Sequence, residues 1–320
     1  MARLSADPTL GNIIAGTLLI SLFCAMASFV PVLGFAFFFM LPLTVLVYRV
    51  RFGTGSTLLV TALSLMVITL LSGGMNSDIV LITGMLAQGF LLGKFVENYT
   101  PVDRAIAYST ITILAVGAAL VIIAGNLHGT GASGLLSEYI GKNLEMTAAI
   151  YKQLDSSEES IRALEESIGK IQHAMLIILP SLTAAILVIT AWINLLFGSA
   201  ILKKAGFRTA VFDNLNLWKA PENLVWGVIA CALLLVLPLY APRVVALNAL
   251  IVMMTVYLLQ GFAIISFYFE KKEVPLVIRV IVYGAVLVQQ VLLLFIIGLG
   301  FFDTWLNLRR INATKTHIGG

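Results

Sequence analysis

Apolar residues along this chain fall into nine long blocks separated by short polar stretches. The blocks run from Leu10 to Phe29, Val32 to Tyr48, Thr54 to Leu71, Ile79 to Phe95, Ala105 to Ala124, Ala174 to Leu202, Asn223 to Leu239, Val244 to Phe267 and Leu276 to Phe302. Roughly 20 apolar residues make a helix long enough to span a hydrocarbon core of about 30 Å. Inside lipid a helix satisfies its own backbone donors and acceptors. The pattern therefore predicts an all-α polytopic membrane protein with eight to nine transmembrane helices and one external helical hairpin. The second and fourth blocks are short, and the second holds Pro42. Tilted or broken helices are expected there, because proline removes a backbone donor.

One long polar piece, Gly125 to His173, interrupts the blocks. In its second half Leu154, Ile161, Leu164, Ile168, Ile171 and Met175 advance by steps of 7, 3, 4, 3 and 4, an a/d heptad seam. Ser156 with Glu159 fits a capping box at the start of that helix. The expectation is a helical hairpin over 125–173 whose second helix runs on into the sixth span. Its seam packs against the first hairpin helix or the bilayer rim, or else receives a partner protein or a second copy of this chain. Glu158, Glu159, Glu165 and Glu166 fall on the opposite side of the pattern and read as a solvated face rather than a metal site.

Composition agrees with a lipid solvent: 60% of the 320 residues are hydrophobic and 11% are charged, against about 25% charged in an ordinary soluble domain. The net charge of +4 comes from Lys and Arg spread over the loops, which argues for membrane orientation and against nucleic acid. With the N-terminus cytoplasmic, the inner loops collect Arg49, Arg51, Lys94, Arg104, Lys203, Lys204, Arg208, Lys219, Lys271, Lys272 and Arg279. The hairpin then lies outside. Nine crossings also place the C-terminus outside, whereas Arg309, Arg310 and Lys315 belong inside. If the charges decide, one short span does not cross, and the second is the first choice. The N-terminus lacks the basic start, short core and small-residue cleavage site of a signal peptide, so it is expected to be the first transmembrane helix.

Candidate chemistry is sparse. Cys24 and Cys231 lie in apolar blocks without CxxC spacing, and His128, His173 and His317 are scattered. No HExxH, GxSxG or Walker loop occurs. Neither an enzyme nor a cofactor or metal protein is expected. Lys94, Arg279 and Asp303 sit near helix ends, where side chains snorkel to the interface. Inside the spans the polar residues are Gln88, Asn194, Asn248, Gln260, Gln289 and Gln290. They either hydrogen-bond between helices or line a pocket for a small polar ligand.

Gly84, Gly89 and Gly93 in "GMLAQGFLLGKF" have the small-residue spacing of close helix packing. Trp218 and Trp226 in "LWKAPENLVW", with Trp305 in "GLGFFDTWLNLRR", are interface anchors. Asp303 is expected to pair with Arg309 or Arg310.

The order of spans, "VYRVRFG" closing the second helix, "LWKAPENLVW" and "GLGFFDTWLNLRR" resemble the bacterial YybS-like predicted membrane proteins, a family without an assigned activity. Residues 10–205, with six spans, the basic turn "RVRFGTGS" and a glycine-bearing fourth helix, are more distantly similar to the substrate-binding S-components of energy-coupling-factor transporters. That likeness implies a six-helix membrane unit over 1–205, containing hairpin 125–173, that takes a small molecule from outside. A C-terminal unit of two to three spans, 206–320, follows. Three departures stand beside it: a weak small-residue motif at Gly11 and Ala15, the long hairpin and the additional spans. The expected function is small-solute binding or transport in the bacterial inner membrane. The alternative is a membrane scaffold or assembly factor for the cell envelope, docking through the hairpin.

Overall fold

The computed structural model describes residues 9–30, 33–74, 76–153, 158–207 and 215–309, with the side chains of 33, 151–153, 158–166 and 287 left aside. Among the described residues there is no strand, and the helices are α1 (Leu10–Phe29), α2 (Leu33–Leu71), α3 (Ser77–Glu97), α4 (Val102–Leu127), α5 (Gly131–Gln153), α6 (Glu158–Lys204), α7 (Leu224–Val236), α8 (Tyr240–Lys271), α9 (Leu276–Val288) and α10 (Gln290–Leu306). Six helical stretches are long and apolar enough to cross a membrane: Leu10–Phe29, Gly34–Leu71, Ser77–Glu97, Val102–Leu127, Ser167–Lys204 and Tyr240–Lys271. The pair α9 and α10, bent by 106°, makes a seventh if it counts as one span. Their outward faces stay apolar; on α1, Ile14, Leu18 and Leu22 recur at every fourth residue and are 51–65% exposed. Water would penalise such a stripe, and lipid does not.

Local sequence sets several boundaries. Thr9 Oγ1 accepts from Asn12 N at 3.3 Å, and Asn76 Oδ1 accepts from Ile79 N at 3.0 Å, each occupying a donor left orphaned at a helix start. The second and third apolar blocks join in α2, interrupted at Gly53, whose φ of 79° and ψ of 178° are not helical. A straight helix would hold Tyr48 and Ser64 about 24 Å apart. Yet Tyr48 Oη donates to Asn12 O at 3.3 Å while Ser64 Oγ donates to Thr17 O at 3.2 Å, so both reach the same stretch of α1. The chain must turn sharply at Gly53, a conformation that glycine adopts without a Cβ clash.

Contacts divide the chain into two compact units: 1–113 with 186–225 and 254–320, and 114–185 with 226–253. In the first, Leu46, Leu92, Ile106, Ala191, Leu195 and Leu259 form the buried core. Trp192 meets Trp218 edge-on with ring centroids 4.8 Å apart. In the second, Gln172 Nε2 on α6 donates to Ser137 O and Ser137 Oγ on α5, both at 2.8 Å. Leu154 and the capping residue Ser156 fall outside the described residues, as do the side chains of Glu159, Ile161 and Leu164. The seam residues Ile168 and Ile171 are half-buried, and Met175 is exposed.

Candidate functional site

The polar residues within the apolar helices occupy three separate environments. In the first, Gln88 on α3 donates through Nε2 to Leu187 O at 2.7 Å, and Asn194 donates through Nδ2 to Phe39 O at 2.8 Å and Thr190 O at 2.6 Å. Leu187, Thr190 and Asn194 are spaced i, i+3, i+7 and share one face of α6. Gln88, Thr190 and Asn194 are each 0% exposed. Gln88 Oε1, Thr190 Oγ1 and Asn194 Oδ1 have no hydrogen-bond partner among the described residues. Buried polar atoms are nearly always paired, so three such oxygens, two on α6 and one on α3, need a cause.

In the second, Asn248 on α8 repairs α6 at Pro180. Its Oδ1 accepts from Ser181 N at 3.2 Å, and its Nδ2 donates to Ile177 O at 2.9 Å. Those are the two backbone groups that would bond each other in a regular helix. The amide is spliced into the opened turn beside the proline, and its hydrogen bonds are accounted for by that role.

The third surrounds Gln260, where α8, α10 and the segment before α7 converge. Gln260 Oε1 accepts from Ala220 N at 3.0 Å and Nε2 donates to Asp303 Oδ2 at 3.1 Å. Asp303 also accepts from Leu308 N at 2.8 Å and pairs with Arg309 at 2.9 Å, and both charged side chains are 0% exposed. Arg309 Nη1 donates to Asn216 O at 2.8 Å and Trp218 O at 2.9 Å, and Lys219 Nζ reaches Asn307 Oδ1 at 2.7 Å. Snorkelling of Asp303 to the interface is corrected here: the carboxylate is held inward by three donors, from Gln260, Leu308 and Arg309. This cluster ties the end of α10 to α8, and both ends of the Gln260 amide are used.

The remaining sequence candidates scatter. Gln289 and Gln290 are exposed at the break between α9 and α10. A Cβ on Gly89 would overlap the Pro42 carbonyl, one on Gly93 would press on Arg49 Cδ at 2.8 Å, and one on Gly84 would meet nothing within 4 Å. Trp226 and Trp305 are 72% and 56% exposed, whereas Trp218 is half-buried against Trp192. Cys24 and Cys231 are free and buried. Among the described residues no group of three or more His, Cys, Asp or Glu could hold a metal ion.

Two buried polar side chains escape sequence reading. Thr190 looks like any helical threonine, which ordinarily bonds its hydroxyl back to the carbonyl four residues earlier. Arg49 reads as an orientation charge, but it is 4% exposed and clamps the Gly53 turn. It donates to Glu97 Oε2 at 3.2 Å, Phe90 O at 3.1 Å and Thr54 Oγ1 at 3.1 Å, and stacks 4.0 Å above the Phe90 ring.

Long apolar helices with lipid-suited faces and buried interhelical polar contacts define a polytopic α-helical membrane protein. The chain belongs to the family described as "Predicted membrane protein (DUF2232)", whose model matches residues 17–304. It is 25% identical over 303 residues to the "Uncharacterized protein YybS" of Bacillus subtilis (strain 168), covering 92% of this chain and 96% of that protein. No solved structure matches the chain.

Proposed function

We propose that this chain is a non-enzymatic integral protein of the bacterial cytoplasmic membrane that binds, and moves, a small polar solute, in the manner of a substrate-binding transporter subunit. The observation that supports this reading best is the row of buried oxygens on Gln88, Thr190 and Asn194 that no described donor satisfies. A purely structural interhelical contact would resemble Asn248, with both ends of the amide used. Native purification followed by mass spectrometry tests it. The expected result is a small polar species that travels with the protein and is lost from Thr190→Val; wild-type protein that is empty in every preparation overturns it.

The proposed topology has the N-terminus and the C-terminus both in the cytoplasm and eight crossings. The sharp turn at Gly53 makes two crossings of α2. With α1, α3, α4, α6, the short α7 and α8 the total is eight, and the hairpin of α5 and the start of α6 lies outside. The α9–α10 pair then enters and leaves on one side. In support, Arg279 Nη2 near the start of α9 donates to Phe269 O at 3.2 Å, while Tyr268 Oη donates to Leu308 O, just beyond α10, at 2.9 Å. Both ends of the pair therefore lie beside the same end of α8. On this reading the last block fails to cross, rather than the second, and the C-terminal charges join the other inner ones.

The alternative, a scaffold or assembly factor for the cell envelope, draws on α5. There Tyr139, Met146 and Ile150, at i, i+7 and i+11, are 47–57% exposed. On that reading, truncation of the hairpin would abolish function while substitutions at Thr190 would be silent.

A further inference from the structure

The unpartnered oxygens share a chemistry that restricts what they can bind. Gln88 and Asn194 direct their amide N–H groups at the carbonyls of Leu187, Phe39 and Thr190. Reversing either amide would set oxygen against oxygen, so the free atoms are acceptors. Pro42 adds another acceptor, because without an N–H it leaves the Phe38 carbonyl lacking its usual helical donor. Phe38 directly precedes Phe39, whose carbonyl Asn194 holds. An anionic solute would be repelled by such a lining. A cation, or a strong donor, would be welcomed.

Space restricts the occupant further. Gly89, next to Gln88, lies so near α2 that a single Cβ would overlap the Pro42 carbonyl. One turn beyond Asn194, a Cβ on Gly198 would come within 2.9 Å of Leu46 Cδ2. Helices this close favour a small occupant over a bulky one. Divalent calcium and magnesium favour carboxylate ligands, and the lining supplies none. Neutral oxygens, including carbonyls freed at a helix break, can hold a dehydrated monovalent ion.

From these observations we infer that the α2–α3–α6 core holds one small monovalent cation, of the sodium or ammonium kind, between Gln88 Oε1, Thr190 Oγ1, Asn194 Oδ1 and the Phe38 carbonyl. The inference rests on the solute-binding reading and names the charge class of what binds there.

Thermal unfolding of the full chain in lipid nanodiscs tests it, with sodium chloride and ammonium chloride each compared with N-methyl-D-glucamine chloride. The expected result is a Tm that rises with sodium or with ammonium, and a concentration dependence weakened about tenfold, or 1.4 kcal/mol, in both Thr190→Val and Gln88→Met. The salt that acts identifies the ion. Thr190→Val only deletes a hydroxyl that has no protein partner among the described residues, so the variant folds whether or not the proposal holds. A Tm indifferent to both cations, with Thr190→Val more stable in all three salts, overturns the proposal in favour of a dry or water-filled gap. A cation effect that survives in both variants overturns it too, since the ion then acts elsewhere. If the cation effect is absent but a neutral solute co-purifies with wild type and not with Thr190→Val, the binding reading stands and only the charge class falls. If neither is found, both fall together.

Discussion

Arg309 Nη2 stands 2.9 Å from Asp303 Oδ2, and neither side chain has any exposed surface. The pair anchors the end of α10 to α8 through Gln260 and to the segment before α7 through the Asn216 and Trp218 carbonyls. Removing one member of such a pair strands the other charge away from water, at a cost of about 3–5 kcal/mol. Asp303→Ala and Arg309→Met are each expected to lower the thermal stability of the reconstituted protein severely. The double variant should lie above the sum of the two losses. A double-mutant cycle by unfolding in nanodiscs measures this, and additive losses would contradict the coupling.

Asn248 occupies the opened turn of α6 beside Pro180. Asn248→Leu keeps the volume but leaves Ser181 N and Ile177 O unpaired, at about 1–3 kcal/mol for each buried group. Faster hydrogen exchange at the Ser181 amide, with a lower unfolding temperature, is the expected outcome. Exchange at wild-type speed would show that the amide bridge is dispensable.

Gly89 and Gly84 differ only in what lies opposite. Gly89→Ala would drive a methyl group into the Pro42 carbonyl, where backbone on both helices has to move. Gly84→Ala meets nothing within 4 Å and should stabilise α3 by about 0.5–1 kcal/mol through helix propensity. Opposite shifts in Tm check the contact.

The proposed topology is open to thiol labelling in whole cells. Cysteine at Ser133, on α5, should react with an impermeant reagent, while cysteine at Thr314 should react only after lysis. Labelling of Thr314→Cys in intact cells would mean that the α9–α10 pair crosses after all.

Glu138 and Lys142, one turn apart on α5, pair at 2.7 Å on an exposed surface. The Lys142 hydrogen bond and charge hold the Glu138 carboxyl below its ordinary 4.5, and Glu138 holds the Lys142 ammonium above its ordinary 10.5. The contribution of the pair is therefore complete between those ordinary values. It is lost as pH falls through the lowered Glu138 value, or as pH rises through the raised Lys142 value. Solvent screening keeps it small. An NMR titration of the Glu138 carboxyl should give a midpoint below 4.5 that returns towards it in Lys142→Met.

Much of the architecture was legible because its causes are local. Leu10–Phe29 matches the first apolar block residue for residue, since lipid obliges a continuous apolar run to satisfy its own backbone. Gln88, Asn194, Asn248 and Gln260 stood out because amides are rare in such runs. Their different situations did not: whether an amide is fully used, as at Asn248, or half free, as at Gln88 and Asn194, depends on carbonyls up to 155 residues away in sequence. Thr190 was invisible, since a threonine without its usual back-bond differs from any other only in the folded chain.

By itself, then, the amino-acid sequence determined that this is a bundle of membrane helices, which segments are apolar enough to form them, and which loops carry the basic charge. Each of these follows from the length, polarity and hydrogen-bonding needs of a single segment. Tertiary structure alone decided that α2 turns at Gly53, that both ends of α9–α10 lie beside one end of α8, and that Asp303 and Arg309 are buried together. It also decided that three buried oxygens, on Gln88, Thr190 and Asn194, have no donor among the described residues. Those outcomes depend on which distant segments meet, and hydrogen bonds and close packing between helices settle that only after the helices themselves exist.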